Sequence, residues 1–339
     1  MTKHRALSVN RFTRTLPEMH SGAPCSDSET WKRSDTIDSV EPLNPNSRSK
    51  LAWQSKLVLL LVLPFAGVSV VLQTRWWAFY SSSVAIWTIG LSVLLGFVVL
   101  KLRAATPAAA AGGVVITASL MFSTVDFPYR AWKTALVPVL AVSLLAHFAT
   151  RLGRAKKESL GTAEERHGRS ASQVAANLGI AALACDQITQ SWIASARWLT
   201  RAALAPAHLL AVGLAALAEA AADTVSSELG QVFGGRPRVI TTLRTADPGQ
   251  DGAISLVGTL AGIVAAAIVS ALGTLALSAD WTVFAISCAG GIFGLLFDSL
   301  LGATLERRGW VNNDAVNFLS TASASAFALG LLAVLPNIG

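Results

Sequence analysis

The run Ala222-Asp223-Thr224-Val225-Ser226-Ser227-Glu228-Leu229-Gly230 sets two carboxylates among hydroxyls at the end of a long apolar segment. Ionisable groups at a membrane span are costly and by default mark a functional site. If a helix ends near Ala222, Asp223 and Glu228 sit at its carboxyl end. There the macrodipole disfavours an acid by about 0.3–1 kcal/mol unless a cation is present. A Mg²⁺ ion resolves that conflict, because such sites use one or two carboxylates, waters and substrate phosphates. On a helix, Glu219, Asp223, Ser226, Ser227 and Gly230 share a face, whereas Glu228 lies about 140° from Asp223. Both acids reach one ion only if the helix breaks after Thr224; otherwise Glu228 serves elsewhere, for instance paired with an arginine. A solvated helix end with a serine cap is the plainer alternative.

Further polar motifs follow. Gly234-Gly235-Arg236-Pro237-Arg238 leads through Thr241-Thr242-Leu243-Arg244 to Asp247-Pro248-Gly249-Gln250-Asp251-Gly252-Ala253-Ile254-Ser255, where another apolar segment begins. Glycines ahead of a helix start free backbone N–H groups to hold an anion, and Arg244 could add a bidentate phosphate contact. An ordinary turn between spans fits the same residues, and neither a Walker A loop nor a dinucleotide fingerprint is present. Asp298 stands near the end of its span, a poor place for an unpartnered acid. Asn312, Asn313 and Asn317 open the last span, as caps or as the lining of a polar cavity. Lys156, Lys157, Arg166 and Arg169 form a basic loop, read either as topology and lipid-headgroup contact or as a phosphate contact through Lys157.

The elements that must position these groups are membrane helices. Of 339 residues, 53% are hydrophobic and only 14% charged, a balance suited to a polytopic membrane protein and wrong for a soluble domain. Apolar stretches near the spanning length of ~20 residues predict an all-α bundle with spans at 57–73, 77–100, 107–123, 132–150, 173–190, 203–222, 255–278, 281–302 and 315–336. The first is short and the fifth carries Asn177, Asp186 and Gln187, so about seven to nine spans are expected. Residues 1–50, rich in Ser, Thr, Pro and Asn, read as a disordered tail, and 51–339 as the helical domain.

With the N-terminus in the cytosol, 22 of the 27 Lys and Arg fall on the cytosolic side, or 13 against five once the tail is set aside, as the positive-inside rule requires. Trp53, Trp76, Trp77, Trp132, Trp192, Trp281 and Trp310 fall at span ends, as interfacial aromatics do. The net charge of +7 then reflects topology and anionic lipid; no basic-aromatic stripe or binding motif suggests nucleic acid. Cys25, Cys185 and Cys288 lack metal-ligand spacing, and His208 reads as a hydrogen-bonded structural group.

Six motifs together resemble the transmembrane protein 19-like family, an integral membrane family, named for a domain of unknown function, that includes the plant phytyl-phosphate kinase. They are Gln173–Asn177, Ala222–Gly230, Ile240–Thr242, Gly252–Gly258, Phe297–Thr304 and Asn312–Asn317. The resemblance covers roughly 85–337, with Ala222 where the family has glycine, Ala253 where it often has a second glycine, and Glu306 where it often has glutamine. It implies a transferase, a kinase that converts an isoprenyl monophosphate such as phytyl, geranylgeranyl or farnesyl phosphate to the diphosphate with Mg²⁺ and CTP or ATP. Asp223, Glu228 and Asp298 are then the catalytic, metal-holding candidates. Thr224, Ser227, Thr241, Thr242, Arg244, Gly252, Ser255, Asn177, Asn313, Asn317 and Lys157 are the candidate substrate and phosphate contacts. The expected setting is the inner (plasma) membrane, or an organellar membrane in a eukaryote. A transporter or lipid-handling protein without catalysis is the rival, since glycine-interrupted helices near acids also suit a carrier.

The charge count predicts that Arg244 faces the cytosol. In a cysteine-free background, Arg244→Cys should be labelled by impermeant maleimide only from the cytosolic side. Labelling only from outside would refute the orientation and remove cytosolic nucleotide from consideration.

Overall fold

The computed structural model describes residues 51–162, 168–196 and 206–334, with no side-chain description at 206 and 207. The proposed tail, residues 1–50, and Arg166 lie outside the described residues. Nine principal helices alternate in direction: α1 (Ala52–Tyr80), α2 (Ser82–Lys101), α3 (Pro107–Ser123), α4 (Leu136–Arg151), α6 (Ala171–Cys185), α8 (Pro206–Phe233), α9 (Leu256–Ala276), α10 (Trp281–Leu301) and α11 (Asn313–Val334). Short helices α5 (Arg154–Leu160) and α7 (Gln187–Ser195) cap opposite ends, and a two-residue pairing of β1 (Arg238–Val239) with β2 (Ala253–Ile254) closes the α8–α9 connection.

The helices fall where the nine spans were expected, but not all are long enough to cross a membrane alone. Six are, and the bent pair α4–α5, angled by 63°, makes a possible seventh; α3 and α6, at 17 and 15 residues, are shorter. α3 is half-sunk in the bundle, with Ile116 through Ser123 all buried, so its length is set by protein neighbours rather than by bilayer thickness. The chain is thus an all-α polytopic membrane protein with six or seven candidate spans.

α8 is the axis. Its apolar window is 83% buried, against 22% for α1 and 28% for α2, and it packs against α4, α6, α9, α10 and α11. α1 and α2 instead present Leu60, Leu61, Phe79, Ile86 and Trp87 outward, the face a lipid-contacting helix shows. The α8 sequence from Ala215 to Ala222 is alanine but for Leu217 and Glu219, which lets neighbours approach closely, as small residues do at membrane helix interfaces. On α9, a Cβ at Gly262 would stand 2.8 Å from the Ala222 carbonyl oxygen and one at Gly258 would stand 2.6 Å from that of Ser226. On α10, a Cβ at Gly291 would stand 2.7 Å from Ala218 Cβ.

Polar pairs pin both ends. At one end Ser55 donates to Asp314, Gln54 Nε2 to the Trp310 carbonyl, and Asn312 Nδ2 to the Leu51 carbonyl. At the other, Ser69 donates to Asp186 and His208 pairs with Asp280 at 3.0 Å, which holds the Asp280 carboxyl below its ordinary range. Trp53 and Trp310 are exposed at the first end, Trp76, Trp132 and Trp281 at the second.

Close packing on α8 makes a specific stability prediction. Gly262→Val places a branched side chain against Ala222, Ser226 and Leu295, and overpacking of this kind costs about 1–3 kcal/mol. Gly90→Val on α2 meets nothing within 4 Å and should leave the melting temperature in detergent near that of the parent. Equal melting temperatures for the two variants would contradict the packing.

Candidate functional site

α8 runs unbroken to Phe233, ten residues past Asp223. This corrects the expected helix end at 222: Asp223 lies inside a helix, so a carboxyl-terminal dipole does not act on it. What exposes Asp223 is the packing around it. The starts of α6, α9 and α11 and the end of α10 leave a cavity of about 280 Å³ that opens at the Trp53–Trp310 end. Asp223, Asp298, Asn177 and Asn317, from four different helices, all line it.

The remaining sequence candidates divide. Thr224, Ser227, Gly252, Ser255 and Asn313 also line the cavity. Thr224 accepts from Arg169 Nη2 at 3.2 Å while donating to the Ala220 carbonyl. Ser255 also caps α9, accepting from Gly258 N–H, and Asn177 donates one helical turn back to the Gln173 carbonyl. Asn312, not Asn317, caps α11. Thr241, Thr242 and Arg244 are not in the cavity. The Arg238–Thr245 segment folds back on itself, with Val239 N–H bonded to the Arg244 carbonyl, and its exposed tip carries all three outward.

Glu228 and Lys157 are brought together, but with each other. The α4–α5 elbow turns at Gly153, where a Cβ would stand 2.6 Å from Val232 Cγ1, and so wraps the end of α8. Lys157, 1% exposed, donates to Glu228 Oε2 at 2.6 Å and to the carbonyls of Ala149 and Thr150; Thr150 donates to Glu228 Oε1. Both Glu228 oxygens are therefore engaged on the cavity wall. The unbroken helix turns Glu228 away from Asp223, so the expected shared ion and the expected Lys157 phosphate contact give way to a buried ion pair.

Several cavity residues were absent from the sequence-derived set. Arg169 reaches Thr224 because its backbone is tied to the α2–α3 turn: Arg169 N–H bonds the Ala104 carbonyl, and Thr106 N–H bonds the Arg169 carbonyl. Gly168, at φ +75° and with no room for a Cβ beside Ala104, permits that approach. The following Ser170-x-x-Gln173 capping box starts α6 and was readable in sequence. Asp251 and Glu306 line the far wall. They meet because Gly252, at φ +68°, seats its backbone on a π-turn at Gly302–Glu306, where a Cβ on Gly252 would stand 2.3 Å from Ala303 N. Glu219, one turn deeper than Asp223, is 1% exposed and lies near Ser320 and Asp223. It packs over Gly294. Its place on the Asp223 face was legible from i,i+4 spacing alone.

Among the described residues no group of three or more His, Cys, Asp or Glu is placed to hold a metal. Asp223 and Asp298 nevertheless share the cavity, and among the described residues the surrounding donors are carboxylate, amide and hydroxyl oxygens without His or Cys. Such a hard donor set would suit a Mg²⁺ that keeps waters and takes substrate phosphate oxygens better than a closed structural zinc site.

Fold and site together define a class: a polytopic membrane protein with an acidic, amide-lined cavity at one end of its central helix. The chain belongs to the family described as integral membrane protein DUF92, whose model matches residues 90–325. It is similar to an uncharacterised membrane protein of Methanocaldococcus jannaschii, 44% identical over 32% of this chain and 45% of that one. An uncharacterised membrane protein of Synechocystis is 32% identical over 65% of this chain and 78% of that one. Protein VTE6, chloroplastic, of Arabidopsis thaliana is 27% identical over 63% of each. No solved structure matches.

The Glu228–Lys157 pair predicts non-additive stability. Lys157→Met strands a carboxylate that is only 14% exposed and should lower stability by about 3 kcal/mol. Adding Glu228→Gln should recover most of that loss in detergent unfolding. Additive losses would show that Glu228 does not depend on Lys157.

Proposed function

We propose that this protein is a membrane phosphotransferase that converts an isoprenyl monophosphate to the diphosphate, with a nucleoside triphosphate as donor and Mg²⁺. The observation that carries the reading is the convergence of Asp223 and Asp298, from α8 and α10, on one cavity with Asn177, Asn317 and Arg169. Membership of a family that includes the plant phytyl-phosphate kinase supports the substrate class.

Phosphoryl transfer is mainly positioning and charge neutralisation. Asp223 and Asp298 would hold Mg²⁺, which neutralises charge on the transferred group. Arg169 would take a phosphate in a charge-assisted contact, and the amides of Asn313 and Asn317 would orient its oxygens. A substrate phosphate oxygen attacks the γ-phosphorus; a new P–O bond forms, the bond to the nucleoside diphosphate breaks, and the leaving oxygen keeps the electron pair. The nucleophile is already anionic, so no side chain need act as general base.

A carrier is the second reading, and one observation favours it: Glu219, a carboxyl buried beneath the cavity floor, resembles a proton or cation relay. The two are separated by assay of purified protein with farnesyl, geranylgeranyl and phytyl monophosphates, each with CTP or ATP. Diphosphate formation is the expected result. Asp223→Asn should lower turnover by about 100-fold, the order lost when one preorganised charge-stabilising group is removed, with the protein still folded and inserted. Near-parental activity of Asp223→Asn across a Mg²⁺ titration would refute its role as a metal ligand.

A further inference from the structure

A second cavity, of about 450 Å³, lies between α2, α3, α4 and α6. It differs in character from the acidic one. Small residues open it: Gly96 on α2, Ala110 and Gly113 on α3, and Ala146 on α4. Its deep end is walled by Leu95, Thr117 and Val139. From Val139 to Thr150 along α4 the lining spans about 16 Å of helix rise, enough for an extended hydrocarbon chain. Its volume falls within the range of about 300–1,000 Å³ typical of small-molecule sites.

The open end is cationic. Arg103, Arg151, Arg154 and Arg169 surround it, with Glu158 as the carboxylate present. Arg154 pairs with Glu158, and Arg151 donates to the Leu102 carbonyl. The Arg103 guanidinium has no partner among the described residues. An apolar slot with an arginine mouth is complementary to one kind of molecule, an anion with a hydrocarbon chain. The two cavities are neighbours, with Arg169 and Asn177 lining both. Arg169 also bonds Thr224, the neighbour of Asp223. An anionic head at Arg169 would thus face the acidic cavity while its chain lay in the slot.

We infer that this slot is the binding site for the chain of a single-chain lipid phosphate, with Arg103 and Arg169 holding the head and the Gly113–Thr117 and Val139–Ala146 walls setting the chain length accepted. This rests on the reading of the acidic cavity as a phosphotransferase site, but it is tested separately by binding. The probe is a farnesyl monophosphate carrying a diazirine at the chain end, photolysed with the full-length protein in detergent. Cross-links are expected on α3 and α4 near Thr117 and Val139. Unlabelled geranylgeranyl monophosphate should compete; inorganic phosphate and two-chain phosphatidic acid should not. Ala146→Phe and Gly113→Leu should each cut labelling by about tenfold. Gly113 is the safer site for folding, because a Cβ there makes only an ordinary 3.8 Å contact with Val174. In turnover, both should raise KM for the C20 substrate more than for a C10 monophosphate. Arg103→Gln should weaken labelling at every chain length.

Cross-links spread over the outward residues of α1 and α2, such as Leu60, Leu61, Ile86 and Trp87, or competition by phosphatidic acid alone, would overturn the assignment. Specific labelling of the slot without diphosphate formation would sink the kinase reading and leave the slot. Turnover with chain-length preference unchanged in Gly113→Leu would do the reverse.

Discussion

Carboxylates held at membrane depth constrain everything else in this molecule. An ionised group without water, a cation or donors is untenable there, so Asp223, Asp298 and Glu306 can exist only beside a polar cavity. That cavity in turn requires helices that come close to α8 without filling the space above it. The alanine run on α8 and the glycines facing it on α9 and α10 meet both needs, allowing near contact of backbones below the cavity. At Gly294, where a Cβ would stand 2.4 Å from Cγ of its neighbour, that neighbour is Glu219 itself.

The polar connections serve that arrangement rather than merely joining spans. The α4–α5 elbow supplies Lys157 to Glu228 and so neutralises the one acid of the motif that faces away from the cavity centre. The Gly168–Ser170 corner ties Arg169 to the α2–α3 turn and aims it at Thr224. Asp251 and Gly252 close the opposite wall. Three connections from distant parts of the chain thus converge on a few residues of α8, which is why the acidic run alone carries so little of the site.

Much of the fold was legible because membrane helices are dictated by composition: every expected span corresponds to a helix. Length misled where protein replaced lipid as the environment. α3 and α6 read as spans but are short and shielded, and α8 read as ending at Asp223 because a polar stretch looks like a helix end unless its partners are known. The face shared by Glu219, Asp223 and Ser227 followed from 3.6-residue periodicity, as did the separation of Glu228 from Asp223. The partner of Glu228 did not, since Lys157 lies 71 residues away and its approach depends on a bend at Gly153. The outward placement of Thr241, Thr242 and Arg244 was equally hidden, because a short hairpin and a phosphate loop share glycines and hydroxyls. The placement of Arg169 beside both cavities depends on tertiary contact between α6, α8 and the α2–α3 turn.

The π-turn after α10 has a further meaning. There Arg307 N–H reaches back five residues to the Gly302 carbonyl, one more than an α-helix uses. The extra residue sets the angular phase of everything downstream. Removing one residue from 302–306 would restore α-helical winding and rotate Glu306 by about 100°, away from the cavity, while withdrawing Ala303 from Gly252. This short stretch therefore tolerates exchange of side chains far better than change in length, so across related chains gaps should be rarer here than in any exposed connection, whatever residues occupy it.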